Sequence, residues 1–185
     1  EDKQRMFVKN PEEFIATVIR LINEQKGTLI VDAIRYNRID GTYDNSIFTL
    51  EKTTQPLDQA FRSEKAIQDY VFTDGYAKNG ESTERKFVSA LESAEEVVVY
   101  AKLPKGFAIP TPVGNYSPDW AVAFREDSVK YIYFVAETKG SMSSLQLKSI
   151  EKSKTDCAKK LFNESDFSDV RYEVVDSYDK LLSVV

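Results

Sequence analysis

Two carboxylates and a lysine have the residue types and the spacing that metal-dependent chemistry would need. Glu137 and Lys139 end an apolar run that is typical of a β-strand, so strand alternation turns both side chains to one face. Asp119 begins the preceding strand-like run. If the two strands pair antiparallel through the turn at residues 125–128, Asp119 lies beside Glu137. Adjacent carboxylates repel one another unless a cation lies between them, and oxygen ligands favour a hard ion such as Mg²⁺, with Mn²⁺ as a substitute.

The Glu-x-Lys spacing by itself is a weak signal. It occurs four times in the chain, at Glu1–Lys3, Glu24–Lys26, Glu84–Lys86 and Glu137–Lys139. Only the last pair ends a predicted strand, and only the last follows a strand headed by an aspartate. Opposite charges at the end of an apolar strand are costly unless they pair or bind something. A plain salt bridge between Glu137 and Lys139 is therefore the alternative to a metal site, and the spacing leaves both open.

Two helical charges fall on apolar faces and are further candidates. Glu84 lies at the N-terminal edge of a stripe formed by Phe87, Val88 and Leu91, where it would support the metal directly or through water. Lys154 interrupts a second stripe, which comprises Leu147, Ile150, Cys157 and Leu161. The alternatives are a glutamate favoured by the helix dipole and a lysine whose stem passes the core to reach solvent.

A lysine-rich stretch follows the Glu137 strand. Residues 139–160 carry six lysines against two acids, whereas residues 161–185 carry six acids and two bases. Phosphate would approach such a basic stretch, which makes Lys148 and Lys154 candidate DNA contacts. A solvated helix face explains the lysines equally well. Tyr116 is a third candidate, with packing and loop anchoring as the alternative role.

The composition excludes several classes of site. With no histidine in 185 residues, there is no Ser-His-Asp or Cys-His nucleophile system and no His-ligated zinc or haem. One cysteine, Cys157, excludes an internal disulfide, and its position on a helical stripe suits a buried apolar residue. No Gly-Lys-Ser/Thr phosphate loop occurs, which argues against ATP binding within these residues. The net charge of −5 argues against bulk nucleic-acid coating.

The chain contains no apolar run long enough for a membrane helix and no visible signal peptide, and it begins with Glu1. We therefore expect a fragment of a longer intracellular protein, located in the cytoplasm, with no membrane partner.

The first 80 residues give mixed signals. Residues 11–25 are predicted to form a helix that ends at Gly27, because Pro11 suits a first turn and apolar residues recur at helical spacing. The run Leu29–Tyr36 is predicted to be a strand, as is Ser46–Leu50. A helix is predicted over Asp58–Tyr70.

From residue 81 the pattern is clearer. The predicted elements are a helix from Ser82 or Thr83 to about Glu96, strands at Val97–Leu103, Asp119–Phe124 and Tyr131–Lys139, a helix from about Ser144 to Phe162, and a strand at Val170–Val175. Between the first two strands, residues 104–118 hold four of the six prolines and two of the seven glycines. A connection of this length inside a compact domain is more often functional than not.

The order of elements and the residues at their ends resemble a known nuclease superfamily. Pro118-Asp119 followed by Glu137-Thr138-Lys139 resembles the PD-(D/E)xK signature. Four longer segments resemble a more specific family, the C-terminal endonuclease domain of the Res (restriction) subunit of type III restriction–modification enzymes. These segments are residues 82–92, 97–124, 133–141 and 157–162. The resemblance implies an α/β (α+β) fold with a restriction-endonuclease-like core, in which a mixed central sheet is flanked by helices in the order α-β-β-β-α-β.

The resemblance also implies roles for individual residues. Asp119 and Glu137 would be metal-binding carboxylates, Lys139 would lie beside the attacking water, and Thr138 would offer its backbone carbonyl to the metal. Glu84 would support the metal from the first core helix. Residues 81–185 would be the endonuclease core, and residues 1–80 an N-terminal α/β extension that joins it to a helicase region lying outside this chain.

The implied activity is Mg²⁺-dependent hydrolysis of phosphodiester bonds in double-stranded DNA. ATP hydrolysis would belong to the helicase region of the same parent chain, and S-adenosylmethionine to separate modification (Mod) methyltransferase subunits. Two alternatives remain at this point: a DNA repair or structure-selective nuclease with the same fold, and a non-catalytic DNA-binding or subunit-docking module.

Overall fold

A mixed sheet with helices on both faces organises the part of the chain that the computed structural model describes, namely residues 7–36, 44–48, 55–73, 76–77, 80–125, 127, 133–138, 145–164 and 170–185. In chain order the elements are helix α1 (Pro11–Ala33), strands β1 (Phe61–Arg62), β2 (Tyr70–Val71), β3 (Tyr76–Ala77) and β4 (Gly80–Glu81), helix α2 (Thr83–Ser93), strands β5 (Val97–Lys102), β6 (Trp120–Phe124) and β7 (Tyr133–Thr138), helix α3 (Leu145–Glu164), strand β8 (Val170–Val175) and helix α4 (Tyr178–Leu182). Short 3₁₀ helices lie at Asn45–Phe48 and Leu57–Gln59.

The main sheet has the strand order β5-β6-β7-β8 within the described residues. Strands β5, β6 and β7 pair antiparallel in sequence, whereas β7 and β8 run parallel and are joined through α3. A parallel pair needs such a crossover, since no tight turn can join parallel strands. Strands β1 and β2 form a separate antiparallel pair, as do β3 and β4.

Each face of the main sheet has its own apolar cluster. On one face, α2 and α4 cover a cluster that includes Phe87, Leu91, Trp120, Val122 and Leu181. On the other face, α3 covers a cluster of Ile109, Tyr116, Ala158, Phe162 and Tyr172. Alternate residues of β6 are fully or partly buried, as expected for a strand covered by helices on both sides.

The predictions for residues 81–185 are confirmed in type and nearly in extent. Helix α2 begins as predicted, because the Ser82 side chain caps it by accepting a hydrogen bond from the Arg85 amide at 3.1 Å. It ends at Ser93 rather than near Glu96, since Ala94 is already extended. The α+β restriction-endonuclease-like fold class is therefore confirmed. The short helix α4 was not predicted.

Three predictions in the first 80 residues are wrong. Helix α1 continues through Gly27 to Ala33, so the Leu29 segment starts as helix rather than strand. One glycine costs a helix only about 1 kcal/mol, and the second half of α1 packs against α3, where the Lys160 ammonium donates to the Asp32 carbonyl at 2.9 Å. Residues 45–48 form a 3₁₀ helix instead of a strand; positions 49 and 50 lie outside the described residues.

The third wrong prediction is the helix over Asp58–Tyr70. That segment contains the β1–β2 pair, and Ala66 forms a parallel bridge with Tyr100 at the edge of the main sheet. Tertiary hydrogen bonds from this segment to α2 and β5 outweigh its local helical preference.

None of the described helices is both long enough and apolar enough to cross a bilayer.

Candidate active site

The backbone register brings positions 119 and 137 to the same end of the β6–β7 pair. Trp120 pairs with Ala136 in the antiparallel β6–β7 ladder, so the next step along both strands aligns position 119 with position 137. On the other side, the Leu103 amide donates to the Asp119 carbonyl at 2.7 Å, which extends the β5–β6 pairing past Lys102 and Trp120. Asp119 is partly exposed and makes further interactions of its own. The antiparallel pairing predicted from the sequence is thus confirmed.

The remaining members of the predicted set are described to different degrees. Glu137 and Thr138 are the last two residues of β7, aligned with Val174 and Val175 of the parallel strand β8. Lys139 lies outside the described residues. The predicted roles of these three residues therefore remain predictions.

Glu84 is engaged by a lysine that the sequence analysis did not single out. The Lys102 ammonium donates to Glu84 Oε2 at 2.9 Å and to Oε1 at 3.2 Å, and to the Phe72 carbonyl at 2.9 Å. It also lies 5.6 Å from the ring centroid of Trp120, within cation–π range. Only 11% of the Glu84 side chain and 25% of the Lys102 side chain are exposed.

Glu84 approaches the sheet from the face of Trp120. Lys102 and Trp120 are directly opposite in the β5–β6 register and share a face, on which Phe87 of α2 packs at 5.8 Å between ring centroids. Alternation along β6 assigns position 119 to the other face, which α3 covers. Glu84 and the 119/137 positions therefore belong to opposite sides of the same sheet end.

The donor set at positions 119, 137 and 138 suits a hard divalent cation. Two carboxylate residues and a backbone carbonyl supply oxygen donors only, and Mg²⁺ typically takes one or two protein carboxylates and completes its shell with water and substrate phosphate. Across the described part of the chain, no group of three or more His, Cys, Asp or Glu side chains is arranged to hold a metal. The donor chemistry of Asp119, Glu137 and Thr138 is therefore compatible with such an ion.

The candidate DNA-contacting residues have separate surroundings. Tyr116 is 3% exposed; its hydroxyl hydrogen-bonds that of Tyr172, and the two rings meet edge to face at 6.1 Å. This is the packing and anchoring role left open by the sequence. Lys154 is partly buried, with its ammonium 3.6 Å from the Glu151 carboxylate on the same helix. Lys148 lies in the first turns of α3.

A second carboxylate fixes the other end of α2. Glu92 accepts hydrogen bonds from the Ser63 hydroxyl at 2.6 Å, the Glu64 amide at 2.7 Å and the Tyr100 hydroxyl at 2.8 Å, with a longer one from the Lys65 amide at 3.3 Å. Burial raises the pKa of Glu92, but these donors outweigh it and hold the pKa below its usual value. Burial also raises the pKa of Tyr100, and the Glu92 charge raises it further.

Most of the chain matches a known protein family. The family model for an endonuclease domain matches residues 64–178. The chain belongs to this endonuclease-domain family. The confirmed family agrees with the resemblance seen in the sequence.

Two curated relatives of the endonuclease domain are Res subunits. They are the Type III restriction-modification enzyme EcoPI Res subunit of Escherichia phage P1 and the EcoP15I Res subunit of Escherichia coli. Each is 31% identical to this chain in an alignment of 144 residues that covers 71% of the chain. The chain covers only 14% of the length of either relative. No solved structure matched the chain.

Two residues of the endonuclease domain that the sequence analysis missed carried a detectable signal. Lys102 ends a strand whose preceding residues are apolar, so its charge needed a partner, as did that of Glu84 on its buried stripe. Glu92 directly follows Leu91, so its charge lies at the edge of the same apolar stripe. Several of their partners lie between Ser63 and Phe72, and most of that segment was wrongly predicted to be helical.

Proposed function

We propose that this endonuclease domain hydrolyses phosphodiester bonds of double-stranded DNA in a Mg²⁺-dependent reaction, as the nuclease part of a type III restriction enzyme. The observation that carries the proposal is the antiparallel β6–β7 register, whose last pair, Trp120 with Ala136, is one residue from positions 119 and 137, in a chain of this family. The two Res relatives support the restriction context. As the resemblance implies, the parent chain would carry a helicase region, and modification subunits would be its partners.

In this proposal, Asp119, Glu137 and the Thr138 carbonyl hold the metal. When bound, Mg²⁺ would polarise the scissile phosphate and lower the pKa of a nearby water. Mn²⁺ would substitute for it. The two carboxylates also set where the phosphate can approach, because they repel its oxygens unless the cation is present.

Lys139 would orient the attacking water and offset negative charge on the phosphate. In this proposal Lys139 would act as a hydrogen-bond donor rather than as a base. Attack of the water oxygen on phosphorus forms one P–O bond while the bond to the 3′ oxygen breaks. The attacking water releases a proton to the surrounding solvent and the 3′ oxygen takes one up, leaving a 3′-hydroxyl and a 5′-phosphate.

The test is DNA cleavage by the assembled enzyme with Asp119→Ala. We expect cleavage to fall by at least about a thousandfold, since residues that act as one catalytic unit each cost most of the activity when removed. Asp58→Ala is a matched control, because Asp58 is an exposed aspartate in a 3₁₀ helix outside the main sheet. ATP hydrolysis should stay at the wild-type level in both variants.

Full cleavage by Asp119→Ala would overturn the assignment and favour a non-catalytic docking or DNA-binding module. Cleavage that needs neither a recognition site nor ATP would instead favour the repair or structure-selective nuclease.

A further inference from the structure

The ammonium of Lys102 is held from three directions at the Trp120 side of the sheet end. Its acceptors are the two oxygens of Glu84 and the carbonyl of Phe72, and the ring of Trp120 lies beneath it. A lysine ammonium has three N–H donors, so these contacts can satisfy all of them. The Glu84 charge is offset by the same contacts, because its carboxylate lies in direct ion pairing with Lys102.

The backbone of Lys102 is also held by hydrogen bonds and strand pairing. The Gln68 side-chain amide donates to the Lys102 carbonyl at 2.8 Å. The next residue, Leu103, donates its amide to the Asp119 carbonyl at 2.7 Å, and Lys102 itself aligns with Trp120, the neighbour of Asp119. A displacement of Lys102 is therefore transmitted to Asp119 through one backbone hydrogen bond and one cross-strand pair.

Both oxygens of Glu84 already accept hydrogen bonds from Lys102, so a metal bound by Glu84 would compete with a partly buried ion pair. Removing one partner of such a pair leaves an uncompensated charge, which is costly. Glu84 also belongs to the face opposite the one assigned to position 119. Both observations separate Glu84 from the proposed metal ligands.

We infer that Glu84 and Lys102 together are positioning residues, which hold Asp119 in place through the β5–β6 pairing, and that Glu84 is not a ligand of the metal. This inference rests on the proposed function. It replaces the metal-supporting role expected for Glu84 from the sequence.

The test compares Glu84→Gln and Lys102→Met in the assembled enzyme. The measurements are kcat for DNA cleavage and the free Mg²⁺ concentration that gives half-maximal cleavage, at fixed saturating ATP. We expect kcat to fall by about tenfold to a hundredfold in each variant, since small misplacement of a catalytic group is enough for such a loss. The half-saturating Mg²⁺ concentration should stay within about twofold of wild type, as both variants leave the ligands in place.

Two further variants test whether Glu84 and Lys102 act together: the Glu84→Gln/Lys102→Met double variant and the conservative variant Lys102→Arg. Because the two residues act as a unit, the double variant should be no slower than the slower single variant. Lys102→Arg, which keeps the charge, should recover part of kcat. Lys65→Met is a matched control: Lys65 donates to the Ala94 carbonyl beyond the other end of α2, so its loss should leave kcat unchanged.

Two results would overturn the inference. If Glu84→Gln raises the half-saturating Mg²⁺ concentration about tenfold or more while Lys102→Met leaves kcat unchanged, Glu84 is a metal ligand. If both variants lower the melting temperature but cleave at the wild-type rate, the ion pair is structural only. Wild-type cleavage by Asp119→Ala in the same series would refute the proposed function itself, so the two failures are distinguishable.

Discussion

The two ends of helix α2 carry the same side chain in two different settings. Glu84, in the first turn, forms an ion pair with the ammonium of Lys102 beside Trp120. Glu92, in the last turn, has no such cation among these partners and accepts hydrogen bonds from neutral hydroxyl and amide donors of Ser63, Glu64 and Tyr100. The first setting links the helix to the strand end where Asp119 lies, and the second clamps it to the β1–β2 segment. We expect substitutions at the two ends of α2 to differ in their effect on DNA cleavage.

Both ends depend on residues upstream of the predicted core. The Phe72 carbonyl completes the Glu84 end, and the segment from Ser63 to Ala66 completes the Glu92 end. The domain boundary predicted at residue 81 separates these partners from α2, whereas the family match begins at residue 64. A fragment that started at residue 81 would lack both sets of contacts.

The largest effect on stability is expected at the Glu84 end. Trp120 is 0% exposed and contacts Phe87, Tyr100 and Lys102, so Trp120→Ala should lower the free energy of unfolding by about 3–5 kcal/mol through lost burial and a cavity. Urea unfolding of the chain measures it. Val98→Ala, at a 54% exposed position on β5, is the control and should cost much less. A loss below about 1 kcal/mol for Trp120→Ala would contradict the packing described.

An intermediate effect is expected at the Glu92 end. Glu92→Ala removes the acceptor of several hydrogen bonds and should lower the free energy of unfolding by about 1–3 kcal/mol. DNA cleavage by the folded fraction should match wild type, in contrast to Glu84→Gln. Glu95→Ala, an exposed position two residues beyond the end of α2, should change neither quantity. A large loss of kcat in Glu92→Ala would show that the two ends of the helix are not functionally distinct.

The smallest effect is a pH dependence confined to the Glu92 end. Because the pKa of Glu92 is lower in the folded chain, its carboxylate adds stability above the usual glutamate pKa, and that stability is lost as pH falls through the folded-state pKa. The difference in unfolding free energy between wild type and Glu92→Gln should therefore shrink from pH 7 toward pH 3. Unfolding curves at several pH values measure this difference. A difference that stays constant with pH would show that hydrogen bonding to the ionised form is not what holds Glu92.

The contrast between the halves of the chain has a physical reason. From residue 82 onward, caps, apolar stripes and strand alternation agree with one another, so local signals sufficed to predict α2, β5, β6, β7, α3 and β8. In the segment from Leu57 to Val71, backbone amides bind the Glu92 carboxylate and the edge of β5. Those partners are about 30 residues away in sequence, and no local pattern of residues 57–71 identifies them.

The sequence alone was enough to predict the endonuclease family and the antiparallel pairing of β6 with β7. The family follows from the resemblance of contiguous segments to a known domain, and the pairing follows from period-2 alternation in two neighbouring runs, both of which are local signals. Only the tertiary structure decided that Glu84 pairs with Lys102, that Tyr116 is buried against Tyr172, and that Glu92 clamps the β1–β2 segment. Each of these contacts joins residues distant in sequence, and a charge or a hydroxyl does not specify its partner until the chain has folded.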